Sequence, residues 1–309
     1  MKHNITFLYP GQGSQHVGMG FDLYEAYPEV RAIFDQADKS LGFSLSRLCF
    51  KGPAEELNHD LNAQLSLYTI SCALTDVLKI HNVLPDMSTG YSSGFYAAAY
   101  AAGCFDFIDG LSIVKRAGEI LLDEGSKIDG SMAVILGLSS EKIDAICQQV
   151  GDVEVAILNT PSQTIISGLT SSVNETMEVA LTEEALDVYN LSAATAYHSR
   201  SMELSGDRLL DEIKDIHLRD PLIPLISYLF LEAVPDQEGL RNVMATQLSR
   251  PVLWTDLIKK LLNSTTMFIE VGPGAVISRT VRWIDRDIEI ANTDTKERLL
   301  KAVGKYNTL

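Results

Sequence analysis

The chain is short of positive charge: 25 Lys and Arg stand against 41 Asp and Glu, a formal net charge of −16 over 309 residues. Nucleic acid is thereby disfavoured as a partner, because its phosphates must be neutralised by lysine and arginine. An acidic protein partner would also be repelled at long range and needs a local basic patch, for which Arg279, Arg282 and Arg286 are the richest candidates. Cysteine is scarce too. Cys49, Cys72, Cys104 and Cys147 are scattered with no C-x-x-C, so neither a disulfide framework nor a zinc site is suggested. No long hydrophobic run exists: the stretch around Phe95 to Phe105 is too short and too alanine-rich to span a bilayer. The opening MKHNITFLYPG lacks the extended apolar region of a signal peptide, so the expectation is a cytoplasmic protein with no membrane association. Repeats and low-complexity tracts are missing as well. What is there, 46% apolar and 21% charged residues, suits one large folded domain carrying a smaller insert.

The most informative segment is Gly90-Tyr91-Ser92-Ser93-Gly94, a G-x-S-x-G pattern followed at once by the helix-forming run Phe95 to Ala102. Small residues two before and two after a serine let the chain turn sharply from strand to helix, exposing the hydroxyl beside free N–H groups of that helix. Glycine and serine are common and ordinary turns match the pattern too. The flanks favour an elbow, since Pro85 to Thr89 reaches it as a short strand, and Ser92 becomes the candidate nucleophile.

The rest of the chain alternates. Ile5 to Tyr9 reads as a buried strand that breaks at Pro10-Gly11-Gln12-Gly13, Ala63 to Ile80 has helical periodicity, and a helix is expected from Phe107 to Glu124 with Gly125 as its stop. Such alternation implies an α/β fold with a parallel, helix-flanked sheet. From Met132 the order becomes strand Met132–Leu138, helix Ser140–Val150 capped by Ser139 and strand Val153–Leu158. The turn Asn159-Thr160-Pro161-Ser162 leads to strand Thr164–Ser167, helix Val173–Leu186 and strand Val188–Ser192. This is βαββαβ, a ferredoxin-like subdomain inserted in a hydrolase-like core. We divide the chain into a core of residues 1–130 and 199–309 and a subdomain of residues 131–198, with a cleft at their junction. The strand Met267–Val271 then runs into Gly272-Pro273-Gly274, a tight turn returning to the main sheet.

A nucleophilic serine needs a base, and six histidines are available. His198, in Ala196-Tyr197-His198-Ser199, stands where the chain re-enters the core beside the elbow; His217 is the competitor on position. His3, His16, His59 and His81 read as surface or loop residues. The loop Pro10 to Gln15 could cradle a phosphate, but it lacks the lysine of a P-loop and the G-x-G-x-x-G spacing. Its other role is to supply one backbone N–H of an oxyanion hole, with the N–H of Ser93 as the second.

Together these segments resemble the malonyl-CoA:acyl-carrier-protein transacylase family, which includes polyketide-synthase acyltransferase domains and the malonyl-transfer subunit of malonate decarboxylase. The resemblance runs over nearly the whole chain: FLYPGQGSQ, Gln64 in NAQLSL, GYSSG, NTPSQTIISG from Asn159, AYHS at the histidine, QLSRPVLW from Gln247, and IEVGPG. It implies Ser92 as nucleophile, His198 as base, and the backbone N–H groups of Gln12 and Ser93 as the oxyanion hole. It further implies that a backbone carbonyl orients the histidine, with Gln247 at the matching position, and that Gln64 and Asn159 line the cleft. The other role open to each of these polar residues is a satisfied turn or cap, and for Asn159 before Thr160-Pro161 the two readings weigh equally.

The chain also departs from that family. The elbow usually reads G-H-S-x-G followed by an acidic residue, where Tyr91 and Phe95 stand here; the malonate decarboxylase branch looks closer. The following helix usually carries an arginine immediately before a glycine, which pairs bidentately with the malonyl carboxylate. Here the run is Val114-Lys115-Arg116-Ala117-Gly118, so Ala117 takes that place and Arg116 is one residue early, a rotation of about 100 degrees on a helix. An alanine there favours a neutral acyl group, since an unpartnered buried carboxylate is costly. Tyr197 argues the other way, standing where malonyl-selective relatives have an aromatic residue, and the substrate-pocket candidates are therefore Gln64, Tyr91, Arg116, Ala117, Asn159 and Tyr197.

The expected activity is that of an acyltransferase: an acyl group (acetyl, malonyl or longer) moves from acyl-CoA to the phosphopantetheine thiol of an acyl carrier protein through an acyl-serine, with no metal or redox cofactor. The alternatives are a thioester hydrolase that unloads carrier proteins, the malonyl transferase subunit of malonate decarboxylase, and a docking subunit that keeps the fold without catalysis.

Overall fold

The computed structural model describes residues 4–193 and 195–309, so His3 lies outside the described residues. Strand β1 (Ile5–Tyr9) is buried along its whole length. Five helices follow: α1 (Phe21–Ala26), α2 (Pro28–Leu41), α3 (Leu45–Lys51), α4 (Ala54–Leu57) and the long α5 (Asp60–Ile80). Then come β2 (Met87–Gly90), α6 (Gly94–Ala101) and α7 (Phe107–Gly125). A second sheet is built from β3 (Gly130–Leu136), α8 (Ser140–Val150), β4 (Val153–Thr160), β5 (Gln163–Leu169), α9 (Thr170–Thr182) and β6 (Asp187–Asn190). The chain returns through α10 (Glu203–Glu212), α11 (Gln237–Thr246) and α12 (Trp254–Leu262). It closes with β7 (Met267–Glu270), α13 (Val276–Ile284), β8 (Ile290–Asn292) and α14 (Lys296–Tyr306).

The main sheet has the order β2-β1-β7-β8, and every neighbouring pair is parallel. With helices covering its faces, its central strands are buried along their whole length, so ITFLY and MFIE are mostly apolar on both sides, and the buried Glu270 carboxylate is satisfied by the N–H groups of Ile277 and Ser278 and the Ser278 hydroxyl. Parallel strands place their C-terminal ends on one edge, and the loops after β1, β2 and β7 meet there. A Cβ on Gly11 would stand 2.4 Å from the Tyr91 carbonyl oxygen, and one on Gly272 would stand 2.4 Å from Pro10 Cγ. Bulkier residues would force these loops apart.

The second sheet is antiparallel, in the order β4-β5-β3-β6, with α8 and α9 on one face: the βαββαβ arrangement. Its strand β3 shows how one strand serves two cores. Ala133 and Ile135 pack with Ile143, Cys147 and Val173 inside the lobe, whereas Met132 and Val134 face the main body. The period-2 alternation of a half-buried strand thus becomes a division between lobe interior and cleft wall. The last helix of the lobe differs from the expected Val173–Leu186. It starts at Thr170 and stops at Thr182, because Glu184 adopts a left-handed conformation (φ 69°) and Ala185 N–H bonds back to the Ala180 carbonyl at 2.9 Å. The final strand is accordingly Asp187–Asn190 rather than Val188–Ser192. The short edge strand β8 carried no clear signal among polar neighbours. Among the described residues, no helix is long and apolar enough to cross a membrane.

Candidate active site

Strand β2 ends at Gly90, α6 begins at Gly94, and three residues make the turn between them. Ser92 sits at its apex with φ 53°, a conformation a non-glycine residue holds only when its surroundings impose it. They do: Tyr91 N–H bonds to the Tyr9 carbonyl at 2.9 Å, and Phe95 N–H bonds to the Ser92 carbonyl at 3.0 Å. The glycines are steric necessities. A Cβ on Gly90 would lie 2.1 Å from the Gly94 carbonyl carbon, and one on Gly94 would lie 2.2 Å from Tyr9 O.

Ser92 Oγ stands 2.7 Å from Nε2 of His198, which comes from the segment following the second lobe. His198 also holds a left-handed backbone, φ 57°. Its Nδ1 lies 3.1 Å from the backbone carbonyl of Arg250. A carbonyl can only accept, so Nδ1 carries the proton and Nε2 is the acceptor for the serine hydroxyl. Burial lowers the His198 pKa from 6.5 to about 4, because the charged ring would lose its hydration; the backbone carbonyls of Arg250 and Gln247 pull the other way. The imidazole is therefore neutral at physiological pH. Gln247, expected at the orienting position, lines the cavity, and its side-chain Oε1 accepts from Tyr228 OH at 3.0 Å, while the carbonyl nearest His198 Nδ1 is that of Arg250.

The pair opens into a cavity of about 730 Å³ between the main sheet and the second lobe. Gln12, Gln64, Tyr91, Ser93, Ala117, Asn159, Tyr197 and Gln247 all line it. Among the described residues, no acceptor is assigned to the backbone N–H of Gln12 or of Ser93. Tyr91 OH donates to Asn159 Oδ1 at 3.1 Å, joining the elbow to the lobe across the cleft, and its ring meets Trp254 edge-on at 5.2 Å. Met132, Val134, Ile157, Ile165 and Leu191 supply an apolar wall from the lobe side.

Arg116 requires a correction, having been placed among the pocket residues. Its Nη1 donates to the Glu212 carbonyl at the end of α10, turned away from the cavity that Ala117 lines. His217 is exposed and does not reach the serine. Of the basic trio, exposed Arg279 lines the cavity mouth beside Trp283, Arg282 donates to the Ile290 carbonyl at 3.4 Å, and Arg286 lies exposed beyond α13. Two participants escaped the sequence reading. Arg250 acts through its carbonyl, which no side-chain pattern reports, and Asp60 looked like an ordinary acid in the first turn of a helix. Among the described residues no group of three or more His, Cys, Asp or Glu is placed to hold a metal ion.

A serine on a strand-to-helix elbow, bonded to a neutral buried imidazole beside a cleft, is the arrangement that serine-dependent acyl-transfer and hydrolytic enzymes use. The acyl transferase domain profile matches residues 6–295, and the chain belongs to that acyltransferase family. It is 34% identical over 311 residues to the malonyl CoA-acyl carrier protein transacylase of Bacillus subtilis (strain 168), covering 98% of both chains. Its fold matches the malonyl CoA-acyl carrier protein transacylase structure from Coxiella burnetii with TM-score 0.95 at 30% identity, over 99% of this chain and 98% of that one. It likewise matches a malonyl-transacylase solved in complex with a type II polyketide acyl-carrier protein, with TM-score 0.95 at 28% identity over 98% and 99% of the two chains.

Proposed function

We propose that the protein moves an acyl group from acyl-CoA to the phosphopantetheine thiol of an acyl carrier protein through an acyl-serine at Ser92. The observation that carries this reading is the 2.7 Å contact between Ser92 Oγ and the accepting Nε2 of His198 at the floor of the cleft. Ser92 Oγ attacks the thioester carbonyl as His198 Nε2 takes its proton. The C–S bond then breaks and the proton passes to the departing CoA thiolate. The backbone N–H groups of Gln12 and Ser93 hold the developing oxyanion. The second half-reaction reverses the roles, His198 taking the proton of the carrier's thiol as its sulfur attacks the acyl-serine and Ser92 departs.

In this reading residues 1–130 and 199–309 form the acyltransferase core, and residues 131–198 form the subdomain that walls the substrate channel. The carrier approaches the mouth, where Arg279 offers positive charge on a molecule of net negative charge. Relatives are named for malonyl transfer. Here Ala117 replaces the pairing arginine, Arg116 faces Glu212, and the cation lining the cavity, Arg279, is exposed at its rim. An uncharged acyl group suits this interior better than malonyl.

The test is to incubate the protein with acetyl-, butyryl- and malonyl-CoA, weigh the intact chain, and add phosphopantetheinylated carrier protein. An acyl adduct on the unaltered protein, missing in Ser92→Ala and discharged onto the carrier thiol, is the expected result. Discharge to water alone would make the protein a thioesterase instead.

A further inference from the structure

Asp60 begins α5 and is only 5% exposed. Its Oδ1 accepts from Gln12 Nε2 at 2.5 Å and its Oδ2 accepts from Tyr197 OH at 2.5 Å. Both oxygens thus act as acceptors in short, charge-assisted bonds, the pattern of an ionised carboxylate. Gln12 and Tyr197 themselves line the cavity, so Asp60 stands one layer behind its wall. It also lies one helical turn before Gln64, about 6 Å along the axis, and Gln64 faces the cavity beside Ala117. The helix bearing Ala117 packs close here: a Cβ on Gly118 would stand 3.5 Å from Gln64 Oε1. The part of the cavity lined by Ala117 and Gln64 therefore holds no cation of α7, and Asp60 stands behind the adjoining wall made by Gln12 and Tyr197.

We infer that Asp60 is a specificity-determining residue, a fixed negative charge behind the acyl pocket that turns away acyl groups ending in a carboxylate and so selects uncharged ones. The inference rests on the acyl-transfer reading above. A like charge held one layer behind the cavity wall, in surroundings drier than water, repels a substrate carboxylate enough to change a rate by about tenfold or more. The hydrogen bonds of Asp60 also tie the loop of Gln12 to the residue before His198, and the test has to separate that structural tie from the charge.

The measurement is the ratio of second-order acylation rates with malonyl-CoA and butyryl-CoA, read by quenched intact mass, which cancels differences in active fraction. The expected ratio favours butyryl-CoA in the unaltered protein. It rises about tenfold or more towards malonyl in Asp60→Asn, which loses the charge. In Tyr197→Phe, which breaks one hydrogen bond and leaves the charge, the ratio should stay within about twofold, whatever the absolute rates. If Asp60→Asn does not accumulate, Asp60→Ser provides the same neutralisation with a hydroxyl that still accepts, and the same shift is required of it. Equal slowing of both substrates in the Asp60 variants would reduce the residue to a tie between loops and overturn the inference. So would a strong malonyl preference in the unaltered protein, which would leave acyl transfer itself standing. Failure of every acyl-CoA to give an adduct would overturn both.

Discussion

The two sheets solve different problems with the same residue types. The parallel sheet is buried on both faces and holds its loops in place through backbone contact: Gly11 against Tyr91, Gly94 against Tyr9, Gly272 against Pro10. Its C-terminal edge therefore presents fixed positions for reacting groups, as open parallel sheets generally do. The antiparallel sheet is buried on one face by its own helices and turns the other, through Met132, Val134, Ile157 and Ile165, towards the cleft. That surface is made of side chains, and it can be reshaped without moving the backbone that carries the chemistry. The two sheets thus divide the cavity between them, Ser92 standing on the edge of the first and the side chains of the second forming the facing wall.

Breaking the first sheet's contribution should have the largest effect. Ser92→Ala is expected to lose acyl-enzyme formation by about 10³-fold or more, measured as adduct mass after a fixed exposure to acyl-CoA. Acylation of the Ser92→Ala variant at the original rate would transfer the nucleophile elsewhere. A smaller effect, confined to specificity, is expected where the two regions meet. Ala117→Arg adds a cation to the cavity floor and should move the malonyl-to-butyryl rate ratio towards malonyl by about ten- to a hundredfold, the range for a hydrogen bond to a charged group. An unmoved ratio would mean that acyl groups do not reach α7.

The pH dependence sharpens the same comparison. His198 is the base only when neutral, and burial holds its pKa near 4, so single-turnover acylation should stay level from pH 8 to about 5 and fall only as pH approaches 4. A limb centred at 6.5, the value of an exposed imidazole, would show that the ring is open to water during turnover. The smallest effect belongs to the second sheet. Met132→Ala should leave acetyl transfer within about twofold while raising the relative rate with longer acyl chains about tenfold, the low end of what one pocket methylene discriminates. A rate series over acyl-CoAs of increasing length checks it, and equal loss for every length would assign Met132 to lobe stability instead.

Much of this was legible beforehand, and unevenly. The elbow, the histidine and the βαββαβ order stood out because each depends on local pattern: glycines around a serine, a strand period of two, a Ser139 cap. The offset of Arg116 could be read from helix rotation alone, and its bond to Glu212 accounts for where the guanidinium goes. The Asp60, Gln12 and Tyr197 cluster could not, because Asp60 lies 48 positions from Gln12 and 137 from Tyr197 and each has a commonplace local role. The carbonyl of Arg250 was equally invisible, since every residue has one. The end of α9 was misplaced because a left-handed Glu184 is decided by the return path to β6 rather than by glutamate's own preference.

The hydrogen bond from His198 to Arg250 has a consequence for when the protein becomes reactive. Val252, two residues on, pairs with β4 of the lobe, its N–H bonding to the Ala156 carbonyl at 2.8 Å and its carbonyl accepting from Leu158 N–H at 2.9 Å. Nucleophile and base are separated by 106 positions, and the orienting carbonyl lies 52 beyond the base. A nascent chain that has emerged only as far as residue 249 therefore holds Ser92, His198 and the loops around them, yet lacks the acceptor that fixes the imidazole tautomer. The order of segments along the chain thus puts the last piece of the imidazole's setting after both Ser92 and His198, and ties it to the lobe through Val252.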